Sequence, residues 1–312
     1  MDIRFYTLDF SDVRILPETS KDNGYTSMNA EIEFRGNGKF ELVFHDDEIE
    51  QFVREHPEGL LVIWGDFQGY LTDYQFKEKE KWVFGSHLNS LLHKFTIRAY
   101  SIDGDLQEAA SNIITSFTPF VFVPNADGFG DVSFSTEGRE YLDTFFIDLT
   151  EKSKIGYRLY IKNKVIYFEL LKSQNNPLVL SKNNRNIYEA QEDFSNKNIA
   201  YGGWYKKITV DADGNEKKTW TYISSEEKEG IFKQDVILNA ETAKEAKREL
   251  AKYKLTYDIT CKTRNIEYGV DYKLGDVIRY QTQNKTIEKQ IISISLWHEK
   301  ATYHEEPNLI DW

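Results

Sequence analysis

The chain has 312 residues, a formal net charge of −12 and one cysteine, Cys261. This length is enough for two or three domains that together bury roughly 75% of the unfolded surface, and a lone cysteine excludes an intramolecular disulfide. The acidic residues are spread along the chain, and the densest basic stretch, 244–254, is interleaved with Glu245 and Glu249, so there is no basic stripe of the kind that grips nucleic acid.

In chain order, "MDIRFYTLDFSDVRILPETS" breaks its apolar stretches too often for a signal peptide. No later run approaches the roughly 18 apolar residues of a membrane span. The expectation is a soluble protein without membrane insertion, folded in a reducing cytoplasm. Aromatics at 14%, 19 Tyr and 20 Phe among them, lean toward pleated surfaces. Period-two segments fill the first 98 residues: "IRFYTL", a hairpin of "TSMNAEIEF" and "GKFELVFH" turning at "RGNG", then "LLVIW", "GYLTDYQF" and "KWVFGSH". One helix interrupts them at "DDEIEQFVREHPEG", with Ile49, Phe52 and Val53 on its apolar stripe.

Helical spacing takes over between 99 and 187. Leu106, Ala109, Ala110, Ile113, Ile114 and Phe117 define one helix, with Asp105 and Glu108 spaced as a capping box. Leu142, Phe145, Phe146 and Leu149 define another, with Gly156 expected as its C-terminal cap. "YRLYIKNKVIYFELL" reads as a hairpin turning near Asn163, which completes an α+β unit. Strands return in 188–253 with "NIAYGGWYKKITV", a turn at "DADGNEKK", "TWTYIS" and "FKQDVIL", before a connector helix with Ala243, Ala246, Leu250 and Tyr253 on a narrow stripe. The segment 254–312 alternates again, with Leu255, Tyr257, Ile259 and Cys261 facing one way, and its short strands point to a small barrel or sandwich.

Chemical motifs are tested by spacing. His298 and His304 are six residues apart rather than four, which fails the zinc-protease helix pattern. "DADGNEKKTWTY" places Glu216 and Tyr222 where a calcium loop needs Gly and Glu, and "NADGFG" places Phe129 and Thr136 at ligand positions. No phosphate-cradling or dinucleotide glycine loop is present. The lone Cys261 alternates with apolar neighbours and reads as a buried structural thiol. "WGDFQGYLTDYQF" combines Trp64, Tyr70 and Tyr74 with Asp66 and Asp73, the residue mix of a sugar site, although aromatics that pack a barrel with aspartates at strand ends are the favoured reading. In "DYKLGDVIRY", Gly275 suits a positive φ and Asp276 suits local backbone N–H groups, so these two are assigned to a structural turn. No catalytic residue, cofactor or metal ligand is assigned.

Several stretches, in this order, resemble the tail-hub or baseplate-hub family of long-tailed phages, typical of siphoviruses: "IRFYTLDF", "GYLTDYQF" followed by "GSHLNSLLHKFTIRAY", "DFSNKNIAYGGW" and "DYKLGDVIRY". They span most of the chain. The resemblance implies a β-rich α+β fold, with a first β-barrel domain at 1–98, an α+β insert at 99–187, a β segment and connector helix at 188–253 and a second β-barrel domain at 254–312. It implies a homotrimer that closes the distal end of the tail tube, each chain giving two tube-like barrels to a pseudo-sixfold ring, without a lysin extension. The implied partners are the distal tail or tail tube protein, the tape measure protein and receptor-binding or tip proteins. Assembly would take place in the bacterial host cytoplasm, with the mature location in the virion tail tip. The acidic balance suits a conduit through which DNA passes without specific binding. The alternatives are a carbohydrate-binding or glycan-cleaving β-protein of a phage tail, and the hub of a contractile injection machine.

Overall fold

Alternating apolar and polar residues on either side of "RGNG" form an antiparallel hairpin, because period two sends every second side chain to one face of a strand. The computed structural model describes all residues except 19–23, 78–79, 137, 196–199, 211–215, 225–234, 251–252, 254–255, 283–284, 300–301 and 312. The expected turn core at 211–215, Leu255 and the start of "FKQDVIL" lie outside the described residues. The N-terminal part holds β1 (Ile3–Tyr6), β2 (Val13–Leu16), β3 (Tyr25–Glu33), β4 (Lys39–Phe44), α1 (Asp47–Glu55), β5 (Leu61–Trp64), β6 (Phe67–Phe76), β7 (Lys81–His87) and a 3-10 helix, Leu88–Lys94. The middle holds β8 (Thr96–Ile97), β9 (Ser101–Asp105), α2 (Leu106–Phe117), β10 (Val121–Val123), β11 (Asp131–Ser135), β12 (Glu140–Tyr141), α3 (Leu142–Ser153), β13 (Gly156–Lys162) and β14 (Val165–Leu171). There follow β15 (Gln174–Leu180), β16 (Ile187–Ser195), β17 (Gly202–Val210), β18 (Glu216–Ser224), β19 (Asp235–Ile237), α4 (Ala243–Leu250), β20 (Thr256–Thr263), β21 (Asp276–Gln281), β22 (Thr286–Glu299) and β23 (Thr302–Asp311).

The fold is β-rich, as its composition implies. Among the described residues, thirteen strands share one sheet in the order β16-β20-β23-β22-β3-β4-β7-β6-β5-β1-β2, with β21 joining β22 to β15 off that path. Among the described residues this order does not return on itself. The long strand β22 makes the connection: residues 286–290 pair with β21, and residues 293–299 pair antiparallel with β3, placing Ile294 beside Ile32 and Leu296 beside Ala30. Strands near both ends of the chain therefore share one hydrogen-bonded ladder.

The chain divides into two compact units, one built from Met1–Gln191 and Thr260–Ile310, the other from Glu192–Ile259. In the first, α1 is capped by Asp46, whose carboxylate accepts from the Ile49 N–H at 2.9 Å, and it buries Ile49, Phe52 and Val53. The α2–α3 region packs Ile113, Ile114, Phe145 and Phe146 against Tyr157 and Phe168, with the Phe146 and Phe168 rings 4.7 Å apart. Asn163 and Lys164, both at positive φ (52° and 62°), form the two-residue turn between β13 and β14. Gly156 is not the cap of α3. Lys154 takes the left-handed conformation there (φ 53°), and Gly156 opens β13, where an added Cβ would lie 2.3 Å from the Phe34 carbonyl oxygen. Close backbone approach, rather than helix termination, is what needs a glycine at 156.

In the second unit, β17 pairs with β18 antiparallel and with β19 parallel, and α4 lies against the inner face. Tyr205, Leu238, Ala246 and Leu250 form its core, whereas Ala243, expected on the same helical stripe, is exposed.

His87 sits at the end of β7, 4% exposed, and its Nδ1 accepts from the Asn89 N–H at 3.3 Å. Burial first, and the Arg158 charge second, push its imidazole down to about 4. The folded protein thus holds His87 neutral, while the unfolded chain protonates it near 6.5. The resulting stability is fully present above about pH 6.5 and is lost as pH falls toward 4, by up to about 3 kcal/mol. Urea midpoints from pH 7.5 to 4 are expected to fall accordingly, and His87→Gln to flatten that part of the profile.

Candidate functional site

Three segments far apart in sequence converge on Phe34, which is fully buried at the end of β3. Its N–H donates to the Ile292 carbonyl at 2.7 Å and its carbonyl accepts from the Tyr157 N–H at 3.1 Å. The ring lies against Gly156 and Gly275. Asn89 ties the same junction. Its Nδ2 donates to the Gly36 carbonyl at 2.8 Å, and its Oδ1 accepts from the Leu159 N–H at 2.7 Å.

Gly275 has φ +86°, and a Cβ there would lie 2.3 Å from Phe34 Cε2. Its N–H donates to the Ile291 carbonyl at 2.8 Å. Asp276 Oδ2 accepts from the Lys273 N–H at 2.9 Å and from Asn176 Nδ2 at 2.7 Å, while its own N–H donates to the Lys273 carbonyl at 3.2 Å. Asp271 Oδ2 accepts from the Glu267 N–H at 2.8 Å. In this geometry both carboxylates hold backbone groups of one turn.

The residues tested for chemistry are not brought together. His298 is buried on β22 with Nε2 3.1 Å from Glu18 Oε1, whereas His304 on β23 stacks on Trp297 at 5.0 Å. Among the described residues, no group of three or more His, Cys, Asp or Glu is placed to hold a metal ion. The sugar-site mix also separates. Trp64 and Tyr70 are buried in the sheet, while Tyr74 stacks on Phe76 at the surface and Asp73 lies at a register shift in β6. One pair escaped sequence reading: His93 Nδ1 lies 3.0 Å from Asp143 Oδ2 across fifty positions, a separation that leaves no local signal. Asn37 Nδ2 also donates to Asp143 at 2.9 Å, and Tyr141 stacks on the imidazole at 3.9 Å. Ser90, on the same 3-10 helix as His93, keeps its buried hydroxyl without a hydrogen-bond partner, so no serine–histidine–aspartate relay is assembled there.

Cys261 is 1% exposed on β20, and burial, with Glu306 adding to it, pushes its thiol up to about 12. A thiol reagent at pH 8 is expected to label the native protein at least about 100-fold more slowly than the urea-unfolded protein. Comparable rates would contradict this burial.

Large apolar side chains are exposed on β2 (Val13, Ile15) and on the β17–β18–β19 sheet (Trp204, Trp220, Ile237). No family model matches the chain, and no curated protein matches its sequence. Solved structures do match. Over 100% of its length the chain is similar to the 43 kDa tail protein of prophage MuSo2 from Shewanella oneidensis, at 13% identity and TM-score 0.60, covering 98% of that chain. It is similar over 100% of its length to prophage tail protein gp18 from Listeria monocytogenes EGD-e, at 15% identity and TM-score 0.56, covering 95% of that chain. The tail protein from Neisseria meningitidis MC58 also aligns with 100% of the chain, at 10% identity and TM-score 0.61, over 97% of its own length. The chain therefore has the fold of these three tail proteins.

Proposed function

We propose that this chain is a structural protein of a phage tail, forming a homotrimeric hub that closes the distal end of the tail tube and links it to the baseplate or tip. The observation that carries this reading is the end-to-end similarity to three tail proteins: each alignment spans the whole chain and at least 95% of the other. In this reading the β-rich segments 1–98 and 254–312 supply two tube-like barrels per subunit, and three subunits match a sixfold tube. The reading keeps 99–187 as an α+β insert and 188–253 as a β segment with a connector helix. Gly275 and Asp276 shape a turn and take no part in chemistry. The partners are a distal tail or tail tube protein, a tape measure protein and tip or receptor-binding proteins. DNA passes through a lumen whose acidic lining repels phosphate. The protein resides in the virion tail tip after assembly in the host cytoplasm.

Particle imaging and mass measurement of the purified chain, alone and with its tail partner, test the reading. Three copies of 36.6 kDa give about 110 kDa plus any partner mass. A monomer under both conditions, or a twofold dimer, overturns it. Release of sugar from host cell-wall polysaccharide favours the glycan-cleaving alternative instead.

A further inference from the structure

Two adjoining turns of the larger unit carry positive charge and no acidic residue. The first, "SKNNRN" at 181–186, joins β15 to β16, and the second, 264–265, follows β20. Side chains of the first turn fix its own backbone: the Ser181 N–H donates to Asn186 Oδ1 at 2.9 Å, the Asn184 N–H to Ser181 Oγ at 3.0 Å, and Asn186 Nδ2 to the Val179 carbonyl at 2.9 Å. The second turn is tied to the first. The Arg264 N–H donates to the Asn186 carbonyl at 3.0 Å, and Arg264 Nε donates to the Arg185 carbonyl at 3.0 Å. Arg185 and Asn265 both hold the left-handed conformation, at φ 56° and 57°, which few residues other than glycine adopt.

Lys182, Arg185 and Arg264 are exposed, and among the described residues none of the three pairs with a carboxylate. Lys262 is different, because Glu189 neutralises it at 2.5 Å. The acidic residue nearest to Arg264 along the chain, Glu267, lies three positions beyond it. Like charges held on adjoining turns repel, and the hydrogen bonds that fix both turns keep these three where they are. An acidic surface laid across them relieves that repulsion. The chain itself, at −12, offers such surface on every copy.

We propose that the patch of Lys182, Arg185 and Arg264 docks on an acidic surface of a second copy of this chain. Subunits of this net charge repel one another at long range, so a contact between them needs a local reversal of sign. The contact is heterologous: this patch on one subunit meets a different surface on the next, as closure of a ring demands. The inference rests on the trimeric reading and names one place where adjacent subunits meet.

The test compares the full chain with Arg185→Glu/Arg264→Glu, Arg185→Lys/Arg264→Lys and Lys182→Glu by mass photometry across protein concentration, with the tail partner present if the wild type needs it. Circular dichroism melts establish that the variants fold; if the double charge reversal fails to fold, Lys182→Glu, an exposed single change, carries the test. Expected is a three-copy wild type, assembly of the double reversal shifted to at least about tenfold higher concentration at low salt, a smaller shift in the same direction for Lys182→Glu, and near wild-type assembly of the lysine pair, which keeps the charge. The gap between wild type and reversal is expected to narrow as salt rises. Wild type and both reversals assembling alike would overturn this docking patch and leave the hub reading standing. A wild type that never assembles would overturn both. A double-stranded oligonucleotide bound by the wild type and lost in the reversal, with assembly unchanged, would reassign the patch to phosphate and overturn the proposal.

Discussion

Replacing Gly275 by valine is expected to cost about 2–6 kcal/mol, enough to unfold a marginal protein at physiological temperature. Two separate effects add. The backbone at 275 has φ +86°, where a β-branched residue carries about 1–3 kcal/mol of strain. In addition, a Cβ would lie 2.3 Å from Phe34 Cε2, and Phe34 is fully buried with its backbone held by Ile292 and Tyr157. Overpacking of that kind costs about 1–3 kcal/mol more. Urea denaturation followed by tryptophan fluorescence measures the sum, and a wild-type midpoint would contradict the tight approach of the 275 turn to Phe34.

The second large effect is expected from Phe34→Ala, at about 3–5 kcal/mol. Phe34 is fully buried where β3, the start of β13 and the 275 turn meet, so its loss opens a cavity bordered by three backbone segments that cannot all relax. The pair of sites also predicts its own coupling. Gly275→Ala should be costly in the wild type and cheaper by about 1–2 kcal/mol in the Phe34→Ala background, because the clash disappears while the strain at positive φ remains. Strict additivity in this double-mutant cycle would show that Gly275 is needed for its backbone conformation alone.

Gly275 and Gly156 answer to requirements at different distances along the chain. The Gly-Asp pair at 275–276 sits between apolar anchors, and both its positive φ and its side-chain bond to a backbone N–H are local chemistry. Gly156 follows a helix and looks like its cap, yet its requirement comes from the carbonyl and ring of Phe34, 122 positions earlier. Nothing within a window of a dozen residues reports that approach.

By itself the sequence determined the elements whose causes are local. Period two gave the β3–β4 hairpin, apolar stripes gave α1 and α2, the latter with Asp105 as its cap, and the turn near Asn163 joins β13 to β14. Alternation with apolar neighbours likewise made Cys261 a buried thiol. Only the tertiary structure decided which strands meet. Ile32 pairs with Ile294 across more than 260 residues, His93 finds Asp143 across fifty, and Trp204, Tyr222 and Ile237 share an open face through strand register. Such contacts are selected by the burial that the whole chain achieves at once, and the loop entropy they overcome grows only slowly with separation, so no short stretch carries their signature.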